Sequence, residues 1–161
     1  MMDYISNERN GLSKSYKSQE GIETTIRFQP YELIPGYESE DSILFNNIYF
    51  VMSFSAHGKE LLHQLPQEQY SAFFQLFSFG MQNYIKGMSG LGKLETSGVF
   101  FSPTYNMGKA NNLLLVFERE ATLHAKQFEI VVDEFGLGIG SQTYSFNTET
   151  LGEARDFKLI N

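Results

Sequence analysis

The chain has 161 residues, 42% hydrophobic and 15% aromatic, with 15 Phe, 9 Tyr and no Trp, a composition that excludes a disordered chain and fits one domain with a Phe-rich core. It has no cysteine and three scattered histidines, His57, His63 and His124, which removes disulfides, thiolate metal sites and a Cys nucleophile and leaves no imidazole cluster for a metal. A net charge of −7 disfavours nucleic-acid backbones and anionic membranes and favours a basic protein partner.

Residues 1–20 carry few apolar side chains and no sustained period, so they are expected to form a loosely ordered N-terminal arm before a domain over 21–161. This start also lacks the apolar core of a secretory signal, and no apolar run reaches the ~18 residues of a membrane span, so a soluble cytoplasmic protein is expected. "GIETTIRFQ" alternates, with Ile22, Thr24, Ile26 and Phe28 on one side and Glu23, Thr25 and Arg27 on the other, which predicts a half-buried strand. Pro30 stops it. "PGYESED" then forms an acidic loop, and no basic residue occurs between Arg27 and Lys59 to compensate it. "SILFNNIYFVMSFS" is apolar on both faces after Asn47, as a central strand covered on each side would be, and Asn46-Asn47 suits a two-residue hairpin turn.

"GKELLHQL" reads as a short helical segment, and Pro66 stands where a new helix would begin. From Pro66 to about Lys86, the residues Tyr70, Phe73, Phe74, Phe77, Met81, Tyr84 and Ile85, continuing to Met88, recur at spacings of three and four and predict one long amphipathic helix. Phe79 falls on its opposite side and Leu76 near the boundary, so Phe79 is expected either to be covered by another element or to belong to a partner surface. Beyond it, "SGVFFS", "NNLLLVFERE", "AKQFEIVVDEF" and "LGIGSQTYSFN" read as strands, "SPTYNMGKANN" being the longest connection. A succession of hairpins around one helix predicts a single α+β domain, with a mainly antiparallel sheet of five or six strands packed on the 66–86 helix.

Two motifs invite a nucleotide. "GMSGLGKL" (87–94) matches a phosphate-binding loop except that Leu94 replaces the Ser or Thr that would hold Mg²⁺, and "FEIVVDE" ends an apolar run in Asp133 and Glu134. A phosphate loop must lead from a strand into a helix, whose N-terminus faces the anion, whereas this one follows a helix and precedes a strand. Glycine and Lys86 at this point suit a helix C-terminus instead. Gly136, Gly138 and Gly140 have period two and open no helix, so they make no dinucleotide fingerprint; they are expected to leave one strand face bare. No G-x-S-x-G elbow exposes a serine, and the paired carboxylates sit in polar surroundings.

The leading expectation is therefore a non-catalytic, cofactor-free cytosolic protein-binding module: a stoichiometric inhibitor, such as an immunity protein that neutralises a basic nuclease-type toxin. Tyr37, Glu38, Glu40 and Asp41 would steer and contact that partner, with Phe79 as a second contact. The alternatives are a small nucleotide-binding or hydrolytic enzyme using the 87–93 loop with Lys93 and Asp133 or Glu134, and a self-associating structural protein with Phe79 in a homodimer contact.

Overall fold

In a computed structural model, residues 11–30, 46–90 and 92–153 are described. They fold as a mixed α+β structure dominated by antiparallel strands in two sheets. The first sheet contains β1 (Ser13–Lys17), β2 (Ile22–Gln29), β3 (Asn47–Ala56), β8 (Asn111–Glu118) and β7 (Gly98–Phe101) in that order, with the short β4 (Lys59–Glu60) paired to β3. The second runs β10 (Gln142–Asn147), β9 (Gln127–Val132), β5 (Ile85–Ser89), β6 (Gly92–Glu95). The principal helix, α1, spans Gln67–Phe79, and a single turn, α2, spans Arg119–Thr122.

Strand alternation places the core between the sheets. Cross-strand partners Ile26–Met52–Leu113 and Phe28–Phe50–Leu115 are all buried and share the inner face of the first sheet. Phe128, Ile130, Tyr144 and Phe146 answer them from the second. Phe50 is the hub, with ring centroids 6.4 Å from Phe28, 6.1 Å from Phe117, 6.0 Å from Phe128 and 5.1 Å from Phe146. Gly87 lies inside this cluster: a Cβ there would stand 2.6 Å from the Phe128 ring and 3.2 Å from that of Phe117, so the absence of a side chain lets the two sheets close. α1 covers the remainder of the inner face, where Phe77 packs 5.0 Å from Phe54 and 5.5 Å from Phe101.

Several elements differ from the sequence reading. The helix ends at Phe79, where the Gly80 N–H closes on the Leu76 carbonyl at 2.8 Å. A 3₁₀ turn (Met81–Asn83) then leads into β5. Met81 and Ile85 are both buried, the first from the turn and the second from a strand, so a helical spacing of core residues continues without a helix, and Met88 faces outward. The glycines after Lys86 therefore end no helix; they belong to the β5–β6 hairpin. "GKELLHQL" is mostly not helical: its Lys59-Glu60 pairs with β3 through a two-residue turn in which His57 (φ 55°) and Gly58 (φ 72°) are both left-handed, and only Leu62–Gln64 make a 3₁₀ turn. Asn47 opens β3, and the residues that would complete the expected Asn46-Asn47 hairpin lie outside the described ones. Within the expected N-terminal arm, Ser13–Lys17 form β1 in register with Glu23–Arg27, and Leu12 is fully buried. The strands divide into two sheets because β5 pairs with β9 rather than with β7 or β8.

Candidate partner-docking surface

α1 is bordered by two loops, each fastened by a carboxylate. The first begins with Glu60. The tight turn at 57–58 sends Lys59 to solvent and its neighbour inward, so Glu60 is fully buried. Its Oε2 accepts the Thr104 hydroxyl at 2.7 Å and the Gly108 N–H at 2.6 Å, while Oε1 accepts the Asn111 amide at 3.1 Å. Asn111 in turn accepts the Leu62 N–H at 2.9 Å. Burial opposes ionisation of Glu60, but the hydrogen bonds from Thr104, Gly108 and Asn106 and the nearby His63 outweigh it, holding the carboxyl below its ordinary range.

This carboxylate anchors the turn Thr104–Met107, in which the Met107 N–H donates to the Thr104 carbonyl at 2.9 Å. Both central residues are left-handed, Tyr105 at φ 49° and Asn106 at φ 69°. Asn tolerates that conformation, whereas a tyrosine held there is strained. The Tyr105 ring stacks on Phe74 of α1 at 6.2 Å and 30°, and Phe74 also touches Tyr70 and Phe101. Even so, Tyr105 is 64% exposed and Met107 is 91% exposed. Two large apolar side chains are thus held in water on a turn fixed from beneath.

The second loop follows β9. Glu134 accepts backbone N–H groups from Gly136 at 2.9 Å, Gly138 at 3.1 Å and Gly140 at 2.7 Å, and all three glycines have positive φ. Burial again opposes ionisation of Glu134, and these donors prevail, lowering its pKa. The glycines expected to bare a strand face instead form a cradle for a carboxylate of the same loop. Phe135 beside it packs against Phe73, Phe77 and Tyr84.

Of the sequence-derived contact residues, Tyr37, Glu38, Glu40 and Asp41 lie outside the described residues. Phe79 is 81% exposed, and no other described element covers it. Glu60, Tyr105 and Met107 were not singled out in the sequence. Glu60 lies in a stretch whose pattern suggests a helix, and the sequence signal for the turn is Asn106 within "SPTYNMGKANN". Of the residues in the nucleotide reading, 87–90 and 92–93 belong to the β5–β6 hairpin, Lys93 faces Glu95 at 2.9 Å, and Asp133 lies 4.0 Å from Lys86. Among the described residues no three His, Asp or Glu side chains converge to hold a metal, and no helix is long and apolar enough to cross a membrane.

A separate cleft of about 450 Å³ opens between β1 and β10, lined by residues 14–16 and 141–145. Two of its lining side chains, Gln142 and Tyr144, are buried and polar, and Thr24 lies behind them: the Thr24 and Tyr144 hydroxyls are 2.6 Å apart, and Tyr144 donates to Gln142 Oε1 at 2.6 Å. Burial and nearby Tyr16 push the Tyr144 phenol up to about 12 against the opposing effect of Thr24, so it remains a hydrogen-bond donor at neutral pH.

Comparison with protein-family models, with curated proteins and with solved structures yields no match, so the functional reading of this chain rests on its own residues.

Proposed function

We propose that this chain is a non-catalytic protein-binding module, a stoichiometric inhibitor that docks on a basic protein such as a nuclease-type toxin. The observation that carries this reading is the Glu60-anchored turn, which keeps Tyr105 and Met107 exposed at a fixed position beside the aromatic flank of α1. Aromatic and Met side chains on a preorganised surface are what protein interfaces concentrate, because they supply contact area at little entropic cost. The net charge of −7 would speed the approach of a cationic partner, with Glu38, Glu40 and Asp41 as the proposed steering residues and Phe79 as a second contact.

The test is retention of proteins from the source lysate on the wild-type chain and on a Tyr105→Ser, Met107→Ser double variant, followed by association kinetics with the retained protein at two salt concentrations. A basic protein should be held by the wild type and weakened by about 2 kcal/mol or more in the double variant. Its association should slow as salt rises, and also when Glu38, Glu40 and Asp41 are neutralised. Recovery of no partner, or of one that binds both proteins equally, would remove the turn from the interface.

A further inference from the structure

We infer that the cleft between β1 and β10 is a second, independent binding site, built for the carboxy-terminal end of an extended peptide. Its walls are consecutive residues, Lys14–Tyr16 on one side and Ser141–Ser145 on the other. Consecutive residues in a strand point to opposite faces, so a surface that touches all of them is a strand edge and not a face. Among the described strands β1 pairs only with β2, and β10 only with β9. Each therefore turns a row of main-chain donors and acceptors toward the cleft, and an extended peptide satisfies such a row by adding as a strand.

The polar lining supports the same assignment. Elsewhere the space between the sheets is filled by Phe, Ile, Leu and Met, yet at this cleft it holds Gln142 and Tyr144 with Thr24 behind them, all more than nine-tenths buried. Apolar side chains of similar size would pack without the cost of desolvating three polar groups, so stability alone does not account for them. The Gln142 amide nitrogen makes one long bond, 3.4 Å to the Ile139 carbonyl, and with two protons it retains donor capacity. Lys14 is the one charged side chain lining the cleft among the described residues, and no carboxylate opposes it. In a protein of net charge −7, that local sign selects a ligand with a single anionic group, which a peptide's terminal carboxylate supplies next to its amides.

The experiment uses the full chain and a pool of N-acetylated random hexapeptides in two forms, one ending in a free carboxylate and one amidated. Immobilised protein should enrich the free-acid pool about tenfold over the amidated pool. That preference should vanish in Lys14→Gln and return in Lys14→Arg. Amide NMR shifts induced by the enriched peptides should cluster on residues 14–16 and 141–145. Equal retention of both pools, a preference unaffected by Lys14→Gln, or shifts centred on the Tyr105 turn would overturn the assignment. Competition by D-glucuronate with no peptide enriched would also overturn it, marking a sugar-acid site instead. The partner capture proposed above involves a different surface, so either result can fail without the other.

Discussion

Replacing Glu60 with Gln keeps the side chain's shape but leaves one acceptor oxygen where both carboxylate oxygens are in use, Oε2 by the Thr104 hydroxyl and the Gly108 N–H and Oε1 by the Asn111 amide. One contact must become donor against donor, so Glu60→Gln should lower stability by about 1–3 kcal/mol in urea unfolding and speed amide exchange at Gly108. The pH dependence has a definite sign. Because folding lowers the Glu60 pKa, its stabilisation is fully present above the ordinary carboxyl value and disappears as pH falls through the lower folded value. The gap between wild type and variant should therefore be constant near neutrality and close on acidification below about pH 4. Phe77 is 2% exposed and touches three other rings, so Phe77→Ala should cost about 3–5 kcal/mol. Phe74 is only half-buried and should cost less than Phe77, although the sequence placed the two together in the middle of one stripe. Periodicity identifies the inward side of a helix, but it cannot tell how far a neighbouring loop extends over each position.

The β5–β6 hairpin gives the sharpest test among the elements. Gly87→Ala would push a methyl group into the Phe128 and Phe117 rings and should destabilise by about 1–3 kcal/mol, visible as a lower denaturant midpoint. A phosphate-loop glycine would instead lose nucleotide binding at unchanged stability. Much of the local architecture was legible: the alternation of Ile22, Thr24, Ile26 and Phe28 in β2, that of Phe128, Ile130 and Val132 in β9, and the aromatic stripe of α1. The apolar spacing extends the expected helix seven residues too far, to Lys86, because Met81 and Ile85 keep the spacing of a helix while being buried by a 3₁₀ turn and a strand. Nothing local marks that change except Gly80. The 104–107 turn was hidden for a related reason, since its geometry depends on a carboxylate 44 residues away from Thr104.

Across the molecule, the Phe-rich core and the mainly antiparallel pairing followed from composition and from the succession of hairpins, whereas the division into two sheets did not. That division depends on β5 choosing β9, a partner about forty residues along the chain, and alternation within a strand carries no record of which strand lies beside it. The nucleotide alternative makes a prediction at this scale as well. With Gly87, Gly92 and Lys93 in a hairpin and the Glu134 carboxylate seated on the glycine cradle, titration of ATP or GTP with Mg²⁺ should give no saturable heat at millimolar nucleotide. A fitted site that vanished in Lys93→Ala would restore that reading.

The anchoring of the 104–107 turn from beneath also bears on how this surface can vary. Its shape is set by Glu60, Thr104, Gly108 and Asn111, while Tyr105 and Met107 project outward and share in none of those bonds. The outward side chains take no part in the bonds that set the turn's shape, so the turn works as a socket whose tips can be exchanged. Tyr105→Asn tests this directly. Asn accepts the left-handed backbone that strains Tyr, a relief of about 1 kcal/mol that should roughly offset the lost stacking on Phe74. Melting temperature should hardly change while partner affinity falls, and a lineage of such proteins could then change partners by substitution at these tips with the fold underneath untouched.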